Sequence, residues 1–246
     1  MDFIYLLALA LGPVYILVHL AWSRDRFREP LGNVALYLLL GALSVVPVLI
    51  ASIAIELAFP SSEVGPIGPI MSAFLGVALV EEGAKLLALR LRAWRDTHLD
   101  EPFDWVVYAV SVSLGFAAVE NIIYVLQHGA GTGWLRAFTA VPCHALFGTV
   151  MGARLALQAS NKGSVGWCWS SLLLPILWHG AYDAPLFLMD AGHGGVAMAL
   201  AWLVVVVCLW QHSVHLLLRL RARQEFPSPP LLQPFRASTL VWRKRS

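Results

Sequence analysis

Seven mostly apolar stretches, at about 3–22, 31–59, 67–91, 104–127, 135–157, 167–189 and 195–218, constrain this chain more than anything else in it. A helix needs about 20 apolar residues to cross the hydrocarbon core of a bilayer. None of the stretches alternates with the period of a strand, and in lipid the backbone must satisfy its own polar groups, so each predicts a helix. Composition agrees. The 246 residues are 59% hydrophobic and 13% charged, where soluble domains carry about 25% charged residues. The fold class expected is all-α: a polytopic membrane helix bundle of about seven transmembrane helices. Residues 1–220 form one multi-pass domain with no internal repeat, and Pro47 is expected to kink the second span. Residues 221–246 form a basic, proline-bearing tail that is expected to be disordered or to lie on the membrane surface.

Lysine and arginine set the orientation. Arg24, Arg26 and Arg28 follow the first span, Arg90, Arg92 and Arg95 the third, Arg154 and Lys162 the fifth, and a basic run the seventh. The opposite connections hold only Arg136. This bias predicts an outer N-terminus and a cytoplasmic C-terminus. It also accounts for the net charge of +2 without nucleic acid, and makes the lipid bilayer the partner of the basic tail. Phe3 to Trp22 has no basic segment before it and reads as a retained span rather than a signal peptide. Cys143, Cys168 and Cys208 show no metal-binding spacing and read as small buried hydrophobes. Tryptophans such as Trp94, Trp105, Trp134 and Trp167 read as interfacial anchors.

The third stretch holds Val80-Glu81-Glu82-Gly83-Ala84-Lys85-Leu86. A charge at the bilayer centre costs roughly 2.5–3.5 kcal/mol, so ionisable residues inside a span mark function by default. On a helix, Lys85 lies four residues after Glu81 and three after Glu82, and both spacings bring side chains together. One glutamate can be neutralised this way; the other needs a partner elsewhere or suits general-base work.

Three further spans carry polar residues: Phe116-Ala117-Ala118-Val119-Glu120-Asn121, Pro142-Cys143-His144-Ala145-Leu146-Phe147-Gly148, and Trp178-His179-Gly180-Ala181-Tyr182-Asp183. His179 and Asp183 are one turn apart. The aspartate can fix the imidazole tautomer, leaving the other nitrogen for substrate, water or metal. Tyr182 can reach the same site. Carboxylates and imidazoles without a nucleophilic serine or cysteine suit the activation of water. The HExxH arrangement is absent.

In these four motifs, Glu81-Glu82-x-x-Lys85, Phe116-x-x-x-Glu120-Asn121, His144-x-x-Phe147-Gly148 and His179-x-x-x-Asp183, the sequence resembles the PrsW family of intramembrane proteases, within the wider group of CAAX-processing and bacteriocin-processing membrane proteases. The motifs cover residues 67–190 in the family's order. The resemblance implies peptide-bond hydrolysis in the plasma membrane of a bacterium or archaeon, on single-span membrane proteins such as anti-sigma factors. It implies Glu81, Glu82, His144 and His179 as catalytic residues, supported by Lys85, Glu120, Asn121 and Asp183. Zinc is the metal it suggests, with His144, His179, Glu120 and Asp183 as candidate ligands and Glu82 as a further one. Metal-free catalysis would instead use Glu81 or Glu82 as base and the two histidines as oxyanion donors. The same cluster would also suit a proton-coupled or metal-ion transporter, although no inverted repeat supports one, or a scaffold whose polar residues lock helices.

Overall fold

A computed structural model describes residues 3–58, 60, 65, 67–93, 95–162 and 169–225. The expectations for Trp94, Trp167, Cys168 and the tail beyond residue 225 lie outside the described residues. Among those residues the chain is helical: α1 (Phe3–Ser23), α2 (Leu31–Ala58), α3 (Ile67–Met71), a π-helical segment (Ser72–Ala78), α4 (Leu79–Ala93), α5 (Asp104–Phe138), α6 (Ala140–Lys162), α7 (Trp169–Asp190) and α8 (Gly195–Glu225). Among the described residues, five stretches are long and apolar enough to cross a membrane. One of them, Asp104–Ala159, contains two successive helices, α5 and α6. The charged stretch from Ile67 to Ala93 is not among the five.

The bundle is built around α5, which packs on α1, α2, α4 and α6. Every residue of α5 from Asp104 to Ala117 is buried, the state expected of a helix that is apolar all round. Trp105 is 2% exposed, so it is a core residue and not the interfacial anchor its position near a span end predicts. Close helix crossings make this burial possible. A Cβ on Gly41 would lie 1.9 Å from the Val112 carbonyl oxygen, and one on Gly115 would lie 1.9 Å from that of Leu38. Between α5 and α6, Gly148 and Gly152 face the backbone of Ala109 and Trp105. Small residues at such crossings replace the hydrophobic drive that lipid cannot supply.

Outward faces are apolar. On α2, Leu39, Leu43, Val46, Ile50, Ile53 and Leu57 are exposed, as suits a lipid-facing surface. α2 continues through Pro47 as one helix. α8 packs on α6 and α7, and Cys208 is exposed on it, against the expectation of burial, while Cys143 is buried.

Residues 128–134, expected between two spans, hold a break at Gly129 and are otherwise helical. α5 runs to Phe138 with a single break at Gly129, whose φ of 80° and ψ of −172° depart from the helix. The other loop-forming residues there, Gly131 and Gly133, remain in the helix. This extension carries Arg136 back toward the bundle.

Candidate active site

The π-helical segment ends at Ala78, and Glu81 and Glu82 lie in the first turn of α4 directly after it. π-turns within helices recur at functional sites. The segment packs against α7, and the contact is tight. A Cβ on Gly180 would come within 2.3 Å of the Phe74 ring. Gly180 thus lets α7 approach closely, beside His179.

Glu81 is 6% exposed, and Glu82 and Lys85 are fully buried. Lys85 Nζ donates to Glu81 Oε2 at 3.1 Å and to Glu82 Oε1 at 2.7 Å. Both glutamates therefore share the lysine, where spacing predicted neutralisation of one. Lys85 Nζ also lies 3.2 Å from His144 Nδ1 and 4.3 Å above the Phe116 ring. An ammonium can only donate, so His144 Nδ1 accepts, and its Nε2–H donates to Glu120 Oε2 at 2.9 Å. The hydroxyl of Ser113 holds the His144 backbone carbonyl at 2.6 Å.

His179 is 4% exposed and uses both ring nitrogens. Nδ1 lies 2.9 Å from Glu82 Oε1, and Nε2 lies 3.3 Å from Asp183 Oδ2 and 4.0 Å from Glu81 Oε2. Asp183 orients the ring as the one-turn spacing predicts. The second nitrogen is occupied by Glu82 rather than left open. The Phe147 ring stacks on His179 with centroids 4.6 Å apart, and the two imidazoles meet edge to face at 5.4 Å. Tyr182 packs edge-on against Phe147 at 6.2 Å.

Arg136 is a member that sequence reasoning missed. Its Nη2 lies 2.8 Å from Glu120 Oε2, its Nε donates to Asn121 Oδ1 at 2.9 Å, and its guanidinium sits 4.0 Å from the Tyr124 ring centroid. Asn121 Nδ2 donates to the Ala10 carbonyl at 2.9 Å, tying α5 to α1. The signal in the sequence was its isolation: a lone basic residue in the connections opposite the basic ones has a reason to be there other than orientation.

The structure thus brings all eight sequence-predicted residues into one network across α4, α5, α6 and α7. Charge decides what the network can do. Four carboxylates face one lysine and one arginine, and His179, with a carboxylate at each ring nitrogen, is the imidazole placed to carry a further proton. Each imidazole touches at least one carboxylate, which is an arrangement that can move a proton between donor and acceptor.

The donor atoms of Glu81, Glu82 and His144 lie within 4.8 Å of one another. Glu82 Oε2 is buried with no hydrogen-bond partner among the described residues. Carboxylate and imidazole donors with one unused buried oxygen suit a divalent metal in kind, which would have to displace the Lys85 ammonium from among them. Lys85 Nζ is the positive charge those three groups share here. Glu120, His179 and Asp183 flank this trio.

A family model described as PrsW family intramembrane metalloprotease matches residues 29–210. Protease PrsW of Bacillus subtilis (strain 168) is 34% identical over 181 residues, covering 72% of this chain and 81% of the relative. Protease PrsW of Geobacillus kaustophilus (strain HTA426) is 34% identical over 184 residues, covering 72% and 78%. Protease PrsW of Clostridioides difficile (strain 630) is 30% identical over 215 residues, covering 84% and 87%. No solved structure matches the chain.

Proposed function

The chain belongs to the PrsW family of intramembrane metalloproteases, and on that premise we propose that it hydrolyses a peptide bond of a single-span membrane protein, of the anti-sigma-factor kind, at the buried Glu81–Glu82–His144–His179 site. The supporting observation is the unbroken run of contacts Asp183–His179–Glu82–Lys85–His144–Glu120. The protein crosses the membrane seven times, with Ile67–Ala93 as the charged third crossing, its N-terminus outside and its C-terminus cytoplasmic.

Glu81, the more exposed of the two adjacent glutamates, removes a proton from water as the oxygen attacks the scissile carbonyl carbon. His144 and His179, whose N–H groups here face Glu120, Glu82 and Asp183, each turn an N–H to the carbonyl oxygen as negative charge develops on it. When the carbon–nitrogen bond breaks, the departing amine takes the proton that Glu81 acquired. Glu82 and Asp183 hold His179 in place, and Lys85 limits repulsion between the glutamates. Glu120, braced by Arg136 and Asn121, orients His144. Zinc, the metal proposed, would be held by Glu82 and His144 in place of the Lys85 ammonium and would supply Lewis-acid polarisation of the carbonyl, leaving Glu81 free as the base.

The test is co-expression with a tethered single-span substrate. Glu81→Ala, Glu82→Ala and His179→Ala should each reach the membrane in wild-type amounts and leave the substrate uncut. Cleavage retained in all three would overturn the assignment.

A further inference from the structure

A second polar cluster lies away from the protease site, where the α1–α2 connection meets the α4–α5 connection. Asp25 and Glu29 come from the first, Asp100 and Glu101 from the second, and Asp104 opens α5. Donor oxygens of Asp25, Glu101 and Asp104 lie within 4.8 Å of one another, as do those of Glu29, Asp100 and Asp104. Asp104 is common to both groups.

Three of these carboxylates are buried, and Asp100 and Glu101 are partly so. Asp25 is 5% exposed, Glu29 2% and Asp104 0%. Five carboxylates brought this close repel one another, and a cation among them would relieve that. Arg26 partly offsets Glu101. Even so, burial, followed by Asp25 and Asp100, pushes Glu101 up to about 7.

Asp104 points most directly to a ligand. Its Oδ2 accepts from the backbone N–H groups of Asp100 at 2.9 Å and Glu101 at 2.5 Å. Its Oδ1 is buried and accepts from no N–H donor among the described residues, with the Glu29 carboxyl as a neighbour of this side chain. The Tyr108 hydroxyl donates to Glu29 Oε2 and holds that carboxylate toward α5.

We propose that these five carboxylates form a binding site for a hard divalent cation that clips the α1–α2 connection to the start of α5. The donors are all oxygen, the chemistry that Mg²⁺, Mn²⁺ and Ca²⁺ share. The site is structural and separate from the hydrolytic centre. Its ion would fix the N-terminus of the helix that carries Glu120.

The test uses the full chain, purified in detergent and stripped with a chelator. Thermal unfolding is followed with Mg²⁺, Mn²⁺ or Ca²⁺ added alone, and bound metal is counted by mass spectrometry. At least one cation should raise Tm by about 5 °C, because binding to the folded state alone stabilises by mass action. Asp104→Asn and Glu101→Gln should lose the rise and the bound ion, while Glu82→Gln keeps both. Should Asp104→Asn fail to fold, the partly exposed Glu101→Gln variant carries the test. The proposal is overturned if no cation shifts Tm, if Glu101→Gln responds like wild type, or if Glu82→Gln abolishes the response, which would put the ion in the protease site. A stability that falls as pH rises past neutrality yet ignores all three cations would mean shared protons instead, and would equally overturn it.

Discussion

His179 Nδ1 lies 2.9 Å from Glu82 Oε1 across 97 residues of chain, joining α7 to the first turn of α4. The same oxygen accepts from Lys85 at 2.7 Å, so one carboxylate atom holds both the imidazole and the ammonium.

Because of that shared atom, the two residues should behave as a unit. Glu82→Ala and His179→Ala are each expected to lower the cleavage rate by about 100-fold or more. The double variant should be little worse than the poorer single one. Initial cleavage rates in proteoliposomes measure this; independent, multiplying losses would show that the contact does not couple them.

Arg136 should matter although it sits at the end of α5. Removing it leaves the partly exposed Glu120 without its cation and the buried Asn121 Oδ1 without its donor, a loss of about 1–3 kcal/mol. Arg136→Ala is expected to lower Tm in detergent and to slow cleavage. Arg136→Lys keeps the charge but not the two-nitrogen fork, so it should recover stability better than rate.

Gly180 leaves no room for a side chain. In Gly180→Ala the new methyl group meets the Phe74 ring at 2.3 Å, so α7 and the π-helical segment must move apart beside His179. Cleavage should fall at least about tenfold, as small misplacements of reacting groups can cost more than that. Phe74→Ala combined with Gly180→Ala should restore part of the rate. If the pair is no better than Gly180→Ala alone, steric pressure is not the cause.

Gly115 tests the frame rather than the chemistry. In Gly115→Ala a methyl group would overlap the Leu38 carbonyl oxygen at 1.9 Å, and backbone cannot yield as a side chain can. Overpacking of this kind costs about 1–3 kcal/mol or more. Thermal unfolding should report the loss, whereas Gly12→Ala, with nothing within 4 Å of its Cβ, should unfold like the wild type.

Which parts of this arrangement could be read from the sequence follows from the range of each interaction. Contacts within one helix turn are set by spacing, so Lys85 with Glu81 and Glu82, and His179 with Asp183, are legible without coordinates. Contacts between helices depend on rotation and depth, which spacing does not encode. Hence the meeting of Glu82 with His179 and of Lys85 with His144 needed the structure. Arg136 escaped because Gly129, Gly131 and Gly133 suggest a loop, while only Gly129 leaves helical geometry. Trp105 was misread because lipid-facing and core tryptophans look alike in a wholly apolar stretch.

The π-helical turns between Ser72 and Ala78 have one more effect. A wider coil holds an extra residue per turn relative to its α-helical neighbours. Removing a single amino acid there would let the coil tighten to α-helical turns and swing the side chains within it, Phe74 among them, by up to about 100° from where they meet α7. Shortening this stretch by one residue should therefore be tolerated far less than substituting any of its exposed side chains, which makes the length of the stretch, more than its letters, what a redesign has to preserve.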